Sequence, residues 1–146
     1  MTDIIPQMAY SIADMLPQRY PFLLIDRLLK CEPDKSGIGI KNVTINEYYF
    51  QGHFPGKPIV PGVLIIESCA QMLGLVCFDP HRINEAPPML ASVKDFTFKQ
   101  PVEPGDSMLI FAEIISNSFN FIVGKVRVKT QKGLVATGTI INTNKK

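Results

Sequence analysis

The sequence is poor in the residues that build metal centres and disulfide frameworks. Its three cysteines, Cys31, Cys69 and Cys77, are an odd number with no CxxC spacing, so neither a disulfide scaffold nor a thiolate zinc site is expected. If Cys69 and Cys77 share a helix, they stand about 12 Å apart, beyond the reach of a disulfide. All three read as core thiols. With only two histidines, His53 and His81, a metal would need an unusual, carboxylate-rich ligand set, and none is expected. No apolar run reaches the roughly 18 residues of a membrane-spanning helix. The start, "MTDIIPQMAY", lacks the basic and long apolar regions of a secretory leader. A cytoplasmic protein without a membrane span is the expectation.

Strong charge is also missing. Fifteen basic and thirteen acidic residues give a net charge of +2, too mild and too scattered for a nucleic-acid footprint. Lys145 and Lys146 form the one basic end, which reads as a frayed, solvated terminus. At 146 residues, 46% hydrophobic and 19% charged, the chain fits a single domain over 1–146 that buries roughly two thirds of its unfolded surface.

Periodicity supplies the elements. Residues 11–16 predict a short helix capped by Ser11 and stopped by Pro17. Alternating or apolar runs at 22–30 and 37–45 predict a hairpin. From Val63 to Phe78 the chain has neither proline nor any charge but Glu67, which predicts a buried helix of about 24 Å. Four further strands are expected at 89–98, 107–116, 121–130 and 134–142, divided by "PVEPGD", "NSFN" and "QKG". Two strands, one long helix and four strands in meander make an α+β protein, an antiparallel sheet wrapped round a central helix.

The stretch "QGHFPGKPIVPGVLIIESCAQ", Gln51 to Gln71, is where chemistry is expected. Glu67 has Val63, Leu64 and Ala70 one turn away, and Gln71 alone continues a polar stripe. A carboxyl group so placed needs a partner, a cavity or a proton, and burial would make it an acid near neutrality. His53 in an apolar pocket would stay neutral and serve as a base. Pro55, Pro58 and Pro61 stiffen the connection between them, and Pro61 suits a helix start. Gly62, without a Cβ, lets a substrate approach an N–H at the positive end of the helix, where a carbonyl oxygen can gain charge. A base, an acid and an oxyanion donor, with no nucleophile motif and no dinucleotide fingerprint, suit loss of a hydroxyl next to an acidified C–H: a dehydration.

"LPQRYPFLLIDR", "NVTINEYYFQGHFPGKPIVPGVLIIESCAQ" and "FTFKQPVEPGDSM" closely resemble the FabZ-type 3-hydroxyacyl-[acyl-carrier-protein] dehydratases over essentially the whole chain. The resemblance implies a hot-dog fold, homodimers with sheets joined edge to edge, often as a trimer of dimers, and no cofactor. It implies an active site at the dimer interface, with His53 from one subunit and Glu67 from the other, and Gly62 polarising the thioester carbonyl. Val63, Phe54 and Pro61 then line the substrate site, and Met89, Leu90 and Phe96 the acyl tunnel. The substrate arrives on acyl carrier protein, an acidic partner, with Arg19, Lys94 and Lys99 as its expected contacts. Relatives often carry a histidine, an arginine and a basic pair where this chain has Gln18, Gln100 and the Ser118–Phe119 turn. The thinned patch points to a carrier protein or pathway other than bulk fatty-acid synthesis, such as a polyketide or aryl-polyene cluster. A hot-dog thioesterase and a supporting subunit of a mixed oligomer are the alternatives. Glu67 in place of an aspartate speaks against a dehydratase that also isomerises the double bond.

Overall fold

A computed structural model describes residues 9–144; Lys145, Lys146 and the first eight residues lie outside them. The central element is α2 (Gly62–Val76), which starts after Pro61 and ends where the Cys77 N–H folds back on the Leu73 carbonyl. Nine of its fifteen residues are buried, among them Ile65, Cys69, Met72 and Val76, as the apolar composition of this segment requires. Cys69 is fully buried. Burial pushes the Cys31 thiol up to about 11 and Cys77 up to about 12, so these are packing groups and not nucleophiles. Upstream, α1 (Ile12–Met15) opens with a capping box in which Ser11 and Asp14 satisfy each other's backbone N–H.

Six antiparallel strands form one sheet: β1 (Arg27–Glu32), β2 (Ser36–Asn42), β3 (Leu90–Phe98), β4 (Ser107–Asn117), β5 (Phe121–Thr130) and β6 (Gly133–Thr143). Their spatial order is β1-β2-β4-β5-β6-β3. Only β4, β5 and β6 are a meander, which corrects the expected run of four. β3 crosses to the far edge beside β6, and β4 pairs with β2 instead. The physical reason lies in the side chains. Met108, Ile110 and Ala112 of β4 are all buried, which suits a central strand. By contrast β3 is mostly exposed, carries Lys94 and Asp95, and has a register shift between Lys94 and Thr97, properties an edge strand tolerates.

The first strand begins at Arg27 and not at 22, because the backbone before it is already engaged. The Leu24 N–H donates to the Gln71 side chain, and the Phe22 carbonyl accepts from it. Close packing at Gly124 of β5 brings α2 onto the sheet: a Cβ there would overlap Leu73. Gly74, in mid-helix, is different, since a Cβ would meet only Leu16 Cδ2 at 3.4 Å. Gly74→Ala is therefore expected to stabilise the protein by about 0.5–1 kcal/mol, as an alanine loses less backbone entropy in a helix; urea midpoints measure it.

Asp106 ties together the segments that flank the loop after β2. Its carboxylate accepts from the Glu103 N–H at 3.0 Å, Gln131 Nε2 at 2.6 Å and Lys132 Nζ at 3.0 Å, and its carbonyl accepts from the Val43 N–H. Burial alone would raise its pKa, but these donors outweigh burial and hold it below the ordinary carboxylate range. A folded-state pKa below the unfolded one means stability present above the unfolded value and lost as pH falls through the folded one. Asp106→Asn should cost about 2–4 kcal/mol at neutral pH, since it leaves buried donors poorly matched. It should also flatten the fall in stability below about pH 4; denaturant melts from pH 7 to pH 3 read both effects.

Candidate active site

Between β2 and α2 the chain is held by short backbone bonds that fix His53. A 3-10 turn, Tyr48–Gln51, precedes it, and the His53 N–H donates to the Tyr49 carbonyl at 3.0 Å. Phe54 and Lys57 exchange both backbone bonds, so the "FPGK" turn is closed on itself, and the Ile59 N–H returns to the His53 carbonyl. The peptide bond between His53 and Phe54 is cis, and their rings stack at 3.9 Å. The buried Lys41, with Nζ 3.1 Å from Glu47 Oε1, anchors the start of this loop to the inner face of β2. The proline-stiffened connection expected from sequence is thus a hydrogen-bonded loop.

His53 Nδ1 lies 2.8 Å from the Ile59 carbonyl oxygen. That oxygen only accepts, so Nδ1 carries the proton and donates it, and Nε2 of the neutral ring is left with its lone pair. His53 itself is half-buried. A ring so tethered is oriented by one nitrogen and offers the other as a base.

Pro61 caps α2 without any side-chain hydrogen bond, and its carbonyl takes the Leu64 and Ile65 N–H groups. The N–H groups of Gly62 and Val63 have no acceptor among the described residues, so they remain available to an oxygen at the positive end of the helix. Phe98 of β3 packs on this spot: a Cβ at Gly62 would sit 3.0 Å from Phe98 Cζ. The absence of a side chain at Gly62 is therefore needed under that ring. Val63, beside it, is 72% exposed, and Phe54 is 48% exposed.

Glu67 is half-buried in the protomer rather than enclosed. Its Oε1 accepts from Gln71 Nε2 at 3.0 Å, one helical turn on. Gln71 is buried at 2% exposure and fully committed: Oε1 takes the Leu24 N–H at 2.9 Å, and Nε2 also donates to the Phe22 carbonyl at 2.8 Å. The amide cannot flip without breaking these bonds. With Oε1 of Glu67 taken by Gln71, Oε2 is the carboxyl oxygen left without a partner among the described residues.

No hydrogen bond or ion pair joins His53 to Glu67 among the described residues. Of the expected carrier contacts, Lys94 and Lys99 are exposed on and just after β3. Arg19 is exposed, with Nη1 turned onto the Leu16 and Gln18 carbonyls at 2.7 and 2.8 Å. Gln100 faces inward onto the Lys132 and Leu134 carbonyls. Phe98 and the full role of Gln71 escaped the sequence reading. The i, i+4 spacing from Glu67 signals Gln71, whereas nothing local distinguishes Phe98 from the neighbouring Phe96. None of the described helices is long and apolar enough to cross a membrane.

Fold and site together define a class, because a FabA-like domain model matches residues 16–139. The chain is 49% identical over 106 residues, 73% of its length and 76% of the relative's, to the 3-hydroxyacyl-[acyl-carrier-protein] dehydratase FabZ of Caldicellulosiruptor saccharolyticus. It is 39% identical to the FabZ of Thermomicrobium roseum over 133 residues, 91% of this chain and 89% of that one. Among solved structures, the dehydratase heterocomplex ApeI:P from Xenorhabdus doucetiae superposes with a TM-score of 0.77 over 94% of this chain and 92% of that one. Its 16% identity speaks to the fold alone, which is the hot-dog arrangement of a curved antiparallel sheet around one long helix. The chain belongs to the FabZ-type 3-hydroxyacyl-[acyl-carrier-protein] dehydratases, a family of hydro-lyases.

Proposed function

We propose that this protein converts a (3R)-3-hydroxyacyl thioester on acyl carrier protein to the trans-2-enoyl thioester and water, without a cofactor, in fatty-acid or fatty-acid-like synthesis. The observation that carries the reading is the Nδ1 tether of His53, which frees Nε2 as a base. The thioester oxygen is held by the Gly62 N–H, which acidifies C2. His53 Nε2 takes the C2 proton, and the electron pair forms the C2=C3 bond as the C3–O bond breaks. Glu67 Oε2 gives its proton to the departing hydroxyl, directly or through water, so that water leaves. Passing the C2 proton from His53 to Glu67 restores the starting state.

The site takes His53 from one subunit and Glu67 from its partner. Supporting this, a group of apolar side chains has no cover in the protomer: Val63, Phe54, Met89, Leu90 and Phe98 are all exposed. They lie at the α2 N-terminus, in the histidine loop and at the β3 edge, where a second copy can continue the sheet. A homodimer follows, and three such dimers can gather as a hexamer. Carrier protein is read as docking through Arg19, Lys94 and Lys99, with Lys94 and Lys99 on and just after that same edge strand. Neither the thioesterase nor the supporting-subunit reading is favoured by relatives that are dehydratases.

The test is an assay of the purified protein with 3-hydroxyacyl carriers differing in chain length and carrier identity. Growth of enoyl absorbance is expected. Free thiol without enoyl product would replace the reading by hydrolysis, and silence that ends on adding a second dehydratase subunit would replace it by a supporting role. Comparable turnover with general and dedicated carriers would remove the case for a specialised pathway.

A further inference from the structure

The loop that carries His53 is anchored differently at its two ends. Beyond the ring, the Ile59 N–H returns to the His53 carbonyl at 3.1 Å, and the Val60 N–H donates to the carbonyl of the fully buried Val102 at 2.9 Å. Backbone alone fixes that end. Before the ring, residues 44–52 bond chiefly to one another: the Asn46 N–H to Thr44 Oγ1, the Glu47 N–H to the Thr44 carbonyl, the Phe50 N–H to the Glu47 carbonyl and the Gly52 N–H to the Tyr49 carbonyl. Among the described residues, one polar contact ties this run to a strand: Lys41 Nζ of β2 to Glu47 Oε1 at 3.1 Å. Tyr49 and Phe50 also pack into the core, but apolar burial attracts without direction.

Burying such a pair costs free energy. Lys41 is 5% exposed and the Glu47 side chain 20%, and apolar side chains of similar volume are often no less stable in such a place. What the ion pair adds is direction, since its charge-assisted hydrogen bond fixes where Glu47 sits against β2. From Glu47 the path to the ring is short. Its carbonyl takes the Phe50 N–H in the 3-10 turn, and the turn's Tyr49 carbonyl holds the His53 N–H at 3.0 Å. We propose that Lys41 and Glu47 are a positioning pair for the base: they hold the Tyr48–Gln51 turn so that the His53 ring keeps its Nδ1 bond to Ile59 and presents Nε2 to the substrate. Both act through the turn, because neither bonds to His53 itself among the described residues. This rests on the dehydratase reading above and adds to it the residues that aim its base.

The experiment compares the wild-type protein with Lys41→Met/Glu47→Leu, in which apolar groups replace both ions. The melting temperature is expected to stay at or above wild type, while kcat for 3-hydroxybutyryl N-acetylcysteamine thioester falls by about 10- to 100-fold and KM is kept. The ring itself supplies a second readout, because His53 and His81 are the chain's two histidines. With isotopically labelled histidine, and His81→Gln to assign the signals, nitrogen NMR shifts of wild-type His53 should show one neutral tautomer, protonated at Nδ1. In the double variant both tautomers should appear as the Ile59 bond loosens. Lys41→Met alone, which strands Glu47, should lower both kcat and the melting temperature. An unchanged kcat in the double variant, or a His53 ring that keeps the single Nδ1–H tautomer there, would overturn the proposal. So would a double variant that fails to fold, since the pair would then be a plain scaffold contact. A wild-type protein without dehydration would instead overturn the dehydratase reading, and the tautomer signals would still decide whether the pair holds the ring.

Discussion

Glu67→Gln is expected to lower kcat for dehydration by about 10²–10⁴-fold, the usual contribution of a positioned acid or base, while the melting temperature and KM stay close to wild type. The substitution preserves shape, and a glutamine oxygen at this position can still accept from Gln71 Nε2, as Glu67 Oε1 does. The helix and the Phe22–Leu24 segment tied to Gln71 therefore keep their places. What disappears is the acid that the proposed mechanism uses to protonate the departing hydroxyl. Enoyl absorbance under saturating substrate separates this loss of kcat from a loss of binding. A variant with wild-type kcat would remove Glu67 from the chemistry.

His53→Ala should be equally severe, again by about 10²–10⁴-fold in kcat, with a modest loss of stability. The loop around it is held chiefly by backbone: His53 N–H to Tyr49, Ile59 N–H to the His53 carbonyl, and the paired bonds of Phe54 and Lys57. None of these needs the imidazole. The ring's own bond, Nδ1 to the Ile59 carbonyl, is lost, which costs about 1 kcal/mol. A folded, substrate-binding and inactive protein is thus expected, as judged by circular dichroism melts and turnover on the same sample. Persistence of activity would assign the C2 proton to another base.

Much of this molecule is legible in the chain, for identifiable reasons. The helix is announced by a proline-free run after Pro61 whose one charge is Glu67, and the strand pairs by alternation such as Val126 and Val128 against Lys125 and Arg127, which the structure places on opposite faces of β5. Glu67 stands out because a lone carboxyl in such a run demands an explanation, and the long "HFPGKPIVPGV" stretch made the family recognisable. Strand order is another matter. That β3 leaves the meander depends on how exposed and buried faces balance across a finished sheet, which no local pattern records. The start of β1 at Arg27 is hidden for a similar reason: Gln71, 47 residues from Leu24 in sequence, engages the backbone just before that strand. The Phe98 ring over Gly62 and the Lys41–Glu47 pair before the histidine are likewise products of tertiary packing.

The most direct measurement is complementation between the two inactive variants. His53→Ala and Glu67→Gln proteins are mixed in equal amounts, their subunits exchanged, and dehydration followed by enoyl absorbance. If each site draws its base from one subunit and its acid from the other, half the dimers are mixed and each holds one intact site, so activity should return to about a quarter of the wild-type level. Activity that stays at the sum of the two separate variants, with subunit exchange verified, would contradict a shared site.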